Sequence, residues 1–332
     1  MTLHSSLGVR WIAIACLIAR GAPGGTPEGI DALKAQNYKA ALREFTVAAE
    51  AGDSEAQFQL GEMHRRGLGG GVNPRLAQQR YEQADAQGHA AAAAELGILK
   101  WKAEEREQAL ALLHKSARAE NLRAMYALLL LTSRDPAVAI NDGLLSEYIR
   151  KLAEAGQPDA QENYAGRLLL DMRGSVERLA QAETWYRKAA AQGNPRAFHG
   201  ISVCLARKAA RLGGNLDEES LQAVAESLRK GAMLGDFFAQ HSLCLGEGKL
   251  DPVTTYAWIV VTSDLANSFP LESPITEGGR SEIVTMVQER RAKTRALMIP
   301  RLAREGEALA KKFAKEIRAN LKKGLPWEDP FD

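Results

Sequence analysis

Apolar residues in this chain recur at helical spacing, in paired runs separated by short turns. Between Asp53 and Gly88 the first run is Ala56, Phe58, Leu60, Gly61 and Met63. After the turn Gly67 to Pro74 the second run is Leu76, Ala77, Tyr81, Ala84 and Ala86. Spacings of three and four place each set on one face of a helix, so the segment predicts two helices with inward stripes. No stretch alternates apolar and polar residues between turn signals, and no strand is predicted. The joint between hairpins recurs six times, at 51–56, 87–92, 119–124, 155–160, 192–197 and 234–239. The second residue of each copy falls at 52, 88, 120, 156, 193 and 235, giving spacings of 36, 32, 36, 37 and 42. Self-similarity at that period means stacked helical hairpins, each resting on its neighbours.

The joint is readable in its own right. Gly52, Gly88, Gly156, Gly193 and Gly235 stand where a left-handed residue ends a helix at little cost. Asp53, Asn121, Asn194 and Asp236 follow as N-caps. Pro158 and Pro195 occupy the first helical position, where a missing N–H costs nothing. Five residues beyond the alanine closing each copy lies a mostly small residue: Gly61, Gly97, Leu129, Ala165, Ser202 or Cys244. There the first helix is expected to press on its partner. Leu129 breaks that rule and Glu120 replaces the corner glycine, so the third copy is the most divergent.

These residues resemble the Sel1-like repeat family, a relative of the tetratricopeptide repeats. Ala56, Leu60, Gly61, Gly67, Gly69 and Val72 fit the first half of its pattern. Ala182, Trp185, Tyr186, Lys188, Ala189, Ala190 and Gly193 fit the second half, and Thr255 to Trp258 resembles its last-repeat variant. The chain departs from the pattern at His64, where the family has tyrosine. The resemblance covers about 29–266. It implies an all-α fold, a right-handed α-solenoid of about six antiparallel hairpins, acting as an adaptor in protein complexes. It supplies no catalytic residue.

The ends read differently. His4 and Arg10 precede the apolar run Trp11 to Ala19, and small residues surround a cleavage position near Gly21. This is the layout of an export signal over 1–21, followed by a flexible spacer at 22–28. It implies a periplasmic or secreted protein of a bacterial envelope; without that signal the chain is cytoplasmic. Residues 29–51 read as an opening hairpin that caps the stack. A loop at 267–280 leads to a capping helix at 281–323, broken near Pro300, with Leu302, Leu309, Phe313, Ile317 and Leu321 as its apolar stripe. An extended tail occupies 324–332. From 288 to 323 basic residues outnumber acidic ones twelve to four. A cap with a solvated outer face fits this pattern best, and contact with anionic lipid is the lesser reading.

Charge and chemistry narrow the function. With 43 basic and 41 acidic residues the net charge is +2, too balanced for a dedicated nucleic-acid binder. Cys16, Cys204 and Cys244 form neither a disulfide framework nor a metal-binding pair motif. Cys204 and Cys244 lie in equivalent helices of adjacent repeats, so a single bridge stays open beside the reading of two buried thiols. The six histidines show no three- or four-residue spacing, which gives no zinc site. The Gly67–Gly71 loop follows a helix rather than a strand, so it reads as a connector and not a phosphate cradle. No catalytic residue, cofactor or metal is expected.

The expected function is therefore a non-catalytic scaffold that binds a peptide or protein on the surface lined by the first helices. Gln59, His64, Arg66, Asn163, Arg167 and His199 are the candidate binding residues there. Arg66 and Arg167 favour an acidic partner, because guanidinium grips carboxylates with two bonds. The alternatives are a cell-wall or β-lactam hydrolase and a peripheral membrane binder working through the basic C-terminal helix.

Overall fold

A computed structural model describes residues 25–135, 137–138, 140–170, 175–211, 217–245, 250–265 and 277–321. The export segment, the tail at 324–332 and most of the expected loop at 267–280 lie outside the described residues. The fold is an all-α repeat solenoid, with sixteen helices and no strand among the described residues. The chain divides into two compact units, one up to Leu128 and one from Leu129 onward.

The first unit contains α1 (Thr26–Lys34), α2 (Tyr38–Glu50), α3 (Ser54–Arg66), α4 (Pro74–Ala86), α5 (Ala90–Lys102) and α6 (Arg106–Arg118). The boundary falls within α7 (Leu122–Arg134). The second unit continues with α8 (Asp142–Glu154), α9 (Pro158–Leu170), α10 (Val176–Ala191), α11 (Pro195–Arg211) and α12 (Glu218–Met233). It ends with α13 (Phe237–Cys244), α14 (Pro252–Leu265), α15 (Glu277–Leu297) and α16 (Pro300–Leu321). The helix α15 thus begins inside the stretch that the sequence reads as loop, and Met298 and Ile299 separate it from α16.

All six joints between hairpins close in one way. The backbone N–H of Asp53 donates to Ala48 O at 3.0 Å, and His89 repeats this on Ala84, Asn121 on Ser116, Gln157 on Leu152, Asn194 on Ala189 and Asp236 on Gly231. This six-to-one bond satisfies a carbonyl that the ending helix leaves orphaned. It requires a left-handed residue before the donor, and the five glycines adopt φ between 82° and 97°. Glu120 adopts φ 61° in the same place, so the corner persists there with a side chain that disfavours it. The donor residue then caps the next helix. Asp53, Asn121, Asn194 and Asp236 accept from the N–H of Ala56, Ala124, Ala197 and Ala239 at 2.8–3.1 Å. Two caps were invisible to residue preference. The His89 Nδ1 accepts from Ala92 N–H at 3.2 Å, and Gln157 Oε1 accepts from Ala160 N–H.

The residue after the repeating alanine carries a second recurring device. Gln57, Gln161 and Gln240 are buried, and each donates Nε2 to the last turn of the preceding second helix, at Ala49, Ala153 and Ala232 O respectively. Gln57 and Gln161 also accept from Gln87 and Gln192, which sit at the C-caps of α4 and α10. Buried amides are tolerable in an apolar stack only with such partners.

Packing follows the small positions. A methyl group added at Gly61 would lie 2.6 Å from the Tyr81 ring, and one at Gly97 would lie 2.8 Å from Leu113. Tyr81 is fully buried with Ala77 and Ala84, whereas Ala86 faces solvent because it lies two residues beyond the stripe. In the second unit Ala165 and Ser202 hold the equivalent position, and the close approach moves to Gly200, which rests on the Tyr186 ring. The cap helix α16 departs from its expected stripe. Ala303, Gly306, Ala310 and Ile317 are its buried residues, while Leu302 and Leu309 are half-buried and Leu321 is exposed. Small residues let α16 close on α14, where Gly306 meets Tyr256 and Phe313 stacks on Trp258 at 4.6 Å.

Candidate functional site

First helices of successive hairpins lie side by side, so residues at equivalent positions form rows across them. In each unit one such row carries buried charge, and the two rows differ in balance.

In the first unit the row crosses α3, α5 and the start of α7. The Arg65 guanidinium donates twice to Glu62, at 3.1 and 2.7 Å, and the Tyr81 hydroxyl donates to the same carboxylate at 2.5 Å. Burial opposes ionisation of Glu62, but those hydrogen bonds outweigh it and hold the carboxyl below its ordinary range. Burial, reinforced by Glu62, pushes the Tyr81 phenol upward. Glu95 is 6% exposed and pairs with Arg123. Burial raises its affinity for a proton, and Arg123 pulls the other way. Two carboxylates therefore face two guanidinium groups. Lower on the same helices His89 Nε2 lies 3.0 Å from Glu55. Since Nδ1 accepts from Ala92, Nε2 carries the hydrogen and donates it to the carboxylate.

In the second unit the row crosses α9, α11 and α13, and acid prevails. Asp159 and Glu162 stand on α9 and Asp236 at the cap of α13; both aspartates act on Glu162, and Arg196 of α11 acts on Glu162 and Asp236. Burial lifts Glu162 to about 7; Asp159 and Asp236 add to the rise, and Arg196 counters it. Burial also lifts Asp236 to about 6, against the pull of the Ala239 N–H and Arg196. Asn194 holds Asp159 with an Nδ2–H bond of 2.9 Å, which fixes that carboxylate within the row. His199 and Phe238, one on each flanking helix, stack with ring centres 5.8 Å apart.

The residues singled out by sequence fall on or near these rows in different states. Gln59 donates to Glu55 at 2.7 Å, within its own helix. The Asn163 amide turns back to Asp159 O at 3.0 Å. Arg167 donates to Asp142 at 2.9 Å and to Ser146 at 2.8 Å, so its guanidinium has acceptors inside the chain. His199 lies beside Phe238 in the acidic row. His64 is half-buried in the last turn of α3, where burial and then Arg80 lower its proton affinity. Arg66 is exposed at the end of the same helix. Sequence reasoning missed Glu62, Glu95, Glu162 and Arg196. Except for Arg65 beside Glu62, their partners lie about twenty residues away or more, and each alone reads as solvated helix surface.

Both described cysteines are free and buried. Burial pushes each thiol up to about 12, and Cys244 Sγ donates to Thr262 at 3.2 Å. A thiol held protonated is a poor nucleophile. Among the described residues no group of three or more His, Cys, Asp or Glu side chains is placed to hold a metal ion. No described helix is long and apolar enough to cross a membrane.

No protein-family model matches the chain, and no curated protein does. Among solved structures it is similar to a protective antigen present in uropathogenic Escherichia coli strains that displays an SLR fold. The identity is 26% over 88% of this chain, with a TM-score of 0.60, and the chain spans 61% of that protein. A Sel1 repeat protein from Oxalobacter formigenes shares 16% identity over 79% of this chain and 98% of its own, with a TM-score of 0.49.

Proposed function

We propose that this chain, a member of the Sel1-like repeat family, is a non-catalytic adaptor holding a basic segment of a partner protein against the first helices α9, α11 and α13. One observation carries the reading: Glu162 and Asp236 both draw on Arg196, and Asp159 adds a further negative charge beside Glu162. Glu162 and Asp236, raised to about 7 and about 6, thus keep part of their protons near neutral pH. A lysine or arginine entering it would restore their charge, with charge-assisted hydrogen bonds about twice as strong as neutral ones. His199 and Phe238 offer a flat aromatic ledge beside the acids.

The acidic-partner reading from sequence rested on Arg66 and Arg167. Arg167 already has Asp142 and Ser146, which turns the proposal towards a basic partner. A hydrolase that used Cys204 or Cys244 as its nucleophile is disfavoured, since both buried thiols stay protonated. The export pattern of 1–21 supports placing this adaptor in a bacterial envelope.

The test is a panel of fluorescent peptides, basic, neutral and acidic, titrated with the full chain. Basic peptides are expected to bind best, more tightly as pH rises from 6 to 8, and to lose at least tenfold on Asp159→Asn with Glu162→Gln. Equal binding of acidic peptides, or binding indifferent to that double variant, would overturn the proposal.

A further inference from the structure

A separate feature lies at the C-terminal end of the second unit. The helices α14, α15 and α16 enclose a cleft of 720 Å³. That volume is ordinary for a small-molecule site. Its floor is apolar: Val260 and Ala310 are buried and Ala314 is half-buried. Its rim is cationic. Lys311, Lys315 and Arg318 border the cleft, all exposed, at spacings of four and three that align them on one face of α16.

The two acids that line the cleft, Asp264 and Glu307, are already engaged. Asp264 accepts from Arg291 at 2.6 Å, and Glu307 pairs with Arg295. No acidic partner reaches Lys311, Lys315 or Arg318 among the described residues. Like charges one helical turn apart repel. The helix dipole favours a cation only within the last turn, and that turn holds Arg318 alone. Lys311 and Lys315 therefore gain nothing from the fold that offsets their repulsion.

From this geometry we infer that the cleft binds a single-chain anionic amphiphile. Its carboxylate or phosphate head sits among Lys311, Lys315 and Arg318, and its alkyl chain covers Val260, Ala310 and Ala314. The site is independent of the acidic row on α9, α11 and α13, and goes beyond the adaptor reading.

Calorimetric titration of the full chain with laurate and with dodecyl phosphate, each below its micelle threshold, tests the inference. The tighter of the two distinguishes a fatty acid from a phosphate-headed lipid. Either binding at least tenfold more tightly than dodecyltrimethylammonium, acetate or inorganic phosphate is the expected result. Lys311→Glu with Lys315→Glu, both exposed, should weaken it at least tenfold with the circular dichroism unchanged, while Lys315→Arg and Glu162→Gln leave it within twofold. Equal affinity for the cationic amphiphile overturns the inference, as does binding unaffected by the double reversal. So does binding of oligo-glutamate at this rim with no binding of either dodecyl anion.

Discussion

The two charged rows are built on the same kind of helix and solve one problem in opposite ways. In the first unit Glu62 and Glu95 are each matched by a guanidinium, and a phenol adds a third donor to Glu62. In the second unit Glu162 and Asp236 both lean on Arg196, with Asp159 beside Glu162. Burying charge costs several kcal/mol per ion, roughly, unless partners and hydrogen bonds compensate. A matched row answers that cost from within and becomes structure. The second row answers it by keeping protons on Glu162 and Asp236, and on the function proposed above a partner's cation would take their place. What separates the two rows is their local balance of charge, which composition hides because the whole chain is nearly neutral.

The comparison breaks most sharply at Arg123. Arg123→Ala strands Glu95 in a nearly solvent-free position and is expected to cost about 3 kcal/mol, the lower end for a broken buried pair. Urea unfolding at pH 7 measures it; a loss below ~1 kcal/mol would mean that the first row is no more structural than the second.

The packing beneath each row differs too. Gly61→Ala puts a methyl group into the Tyr81 ring, with an expected loss of about 2 kcal/mol by overpacking. At the equivalent position the second unit already carries Ala165, so Ala165→Gly should cost less, about 1 kcal/mol, mainly through helix propensity. Thermal unfolding of both variants ranks them.

In the second row Glu162→Gln should stabilise the chain by about 1 kcal/mol at pH 8 and by nothing at pH 5. The sign follows from the raised values of Glu162 and Asp236. Between the ordinary carboxylate range and about 6 to 7, the folded chain holds protons that the unfolded chain has released. Stability from these groups is therefore present below that window and lost as pH rises through it. A urea series from pH 4 to 8 should show that decline, and its persistence in Glu162→Gln with Asp236→Asn would count against the acidic row.

The smallest effect is expected at the corner that lacks glycine. Glu120→Gly relieves a side chain at φ 61° and should gain up to about 1 kcal/mol, while Gly88→Ala at φ 82° should lose a similar amount. Differential scanning calorimetry can resolve the pair.

What sequence made legible was local. The glycine corners and the Asp and Asn caps each lie within a few residues, their recurrence sets the hairpin period, and all stand in the structure. His89 and Gln157 cap helices although neither is a favoured cap residue, because the corner geometry aims whatever side chain follows it at the alanine N–H. The buried glutamines did leave a trace: alanine is followed by glutamine at 56–57, 160–161 and 239–240. That recurrence was a signal for a buried amide, and polarity concealed it. The ion pairs left no such trace. Glu95 and Arg123, or Glu162 and Arg196, meet only once the stack has formed. The cap helix was misaligned by its large residues, since its buried face is made by Ala303, Gly306 and Ala310.

The repeated joint has one more consequence. Each closure draws its bonds from nine consecutive residues, ending on the alanine amide. Cutting and splicing between two such alanines leaves the hinge chemistry on either side whole. The joint is thus a common coupling, and a hairpin copied or removed at it leaves the coupling itself in need of no redesign.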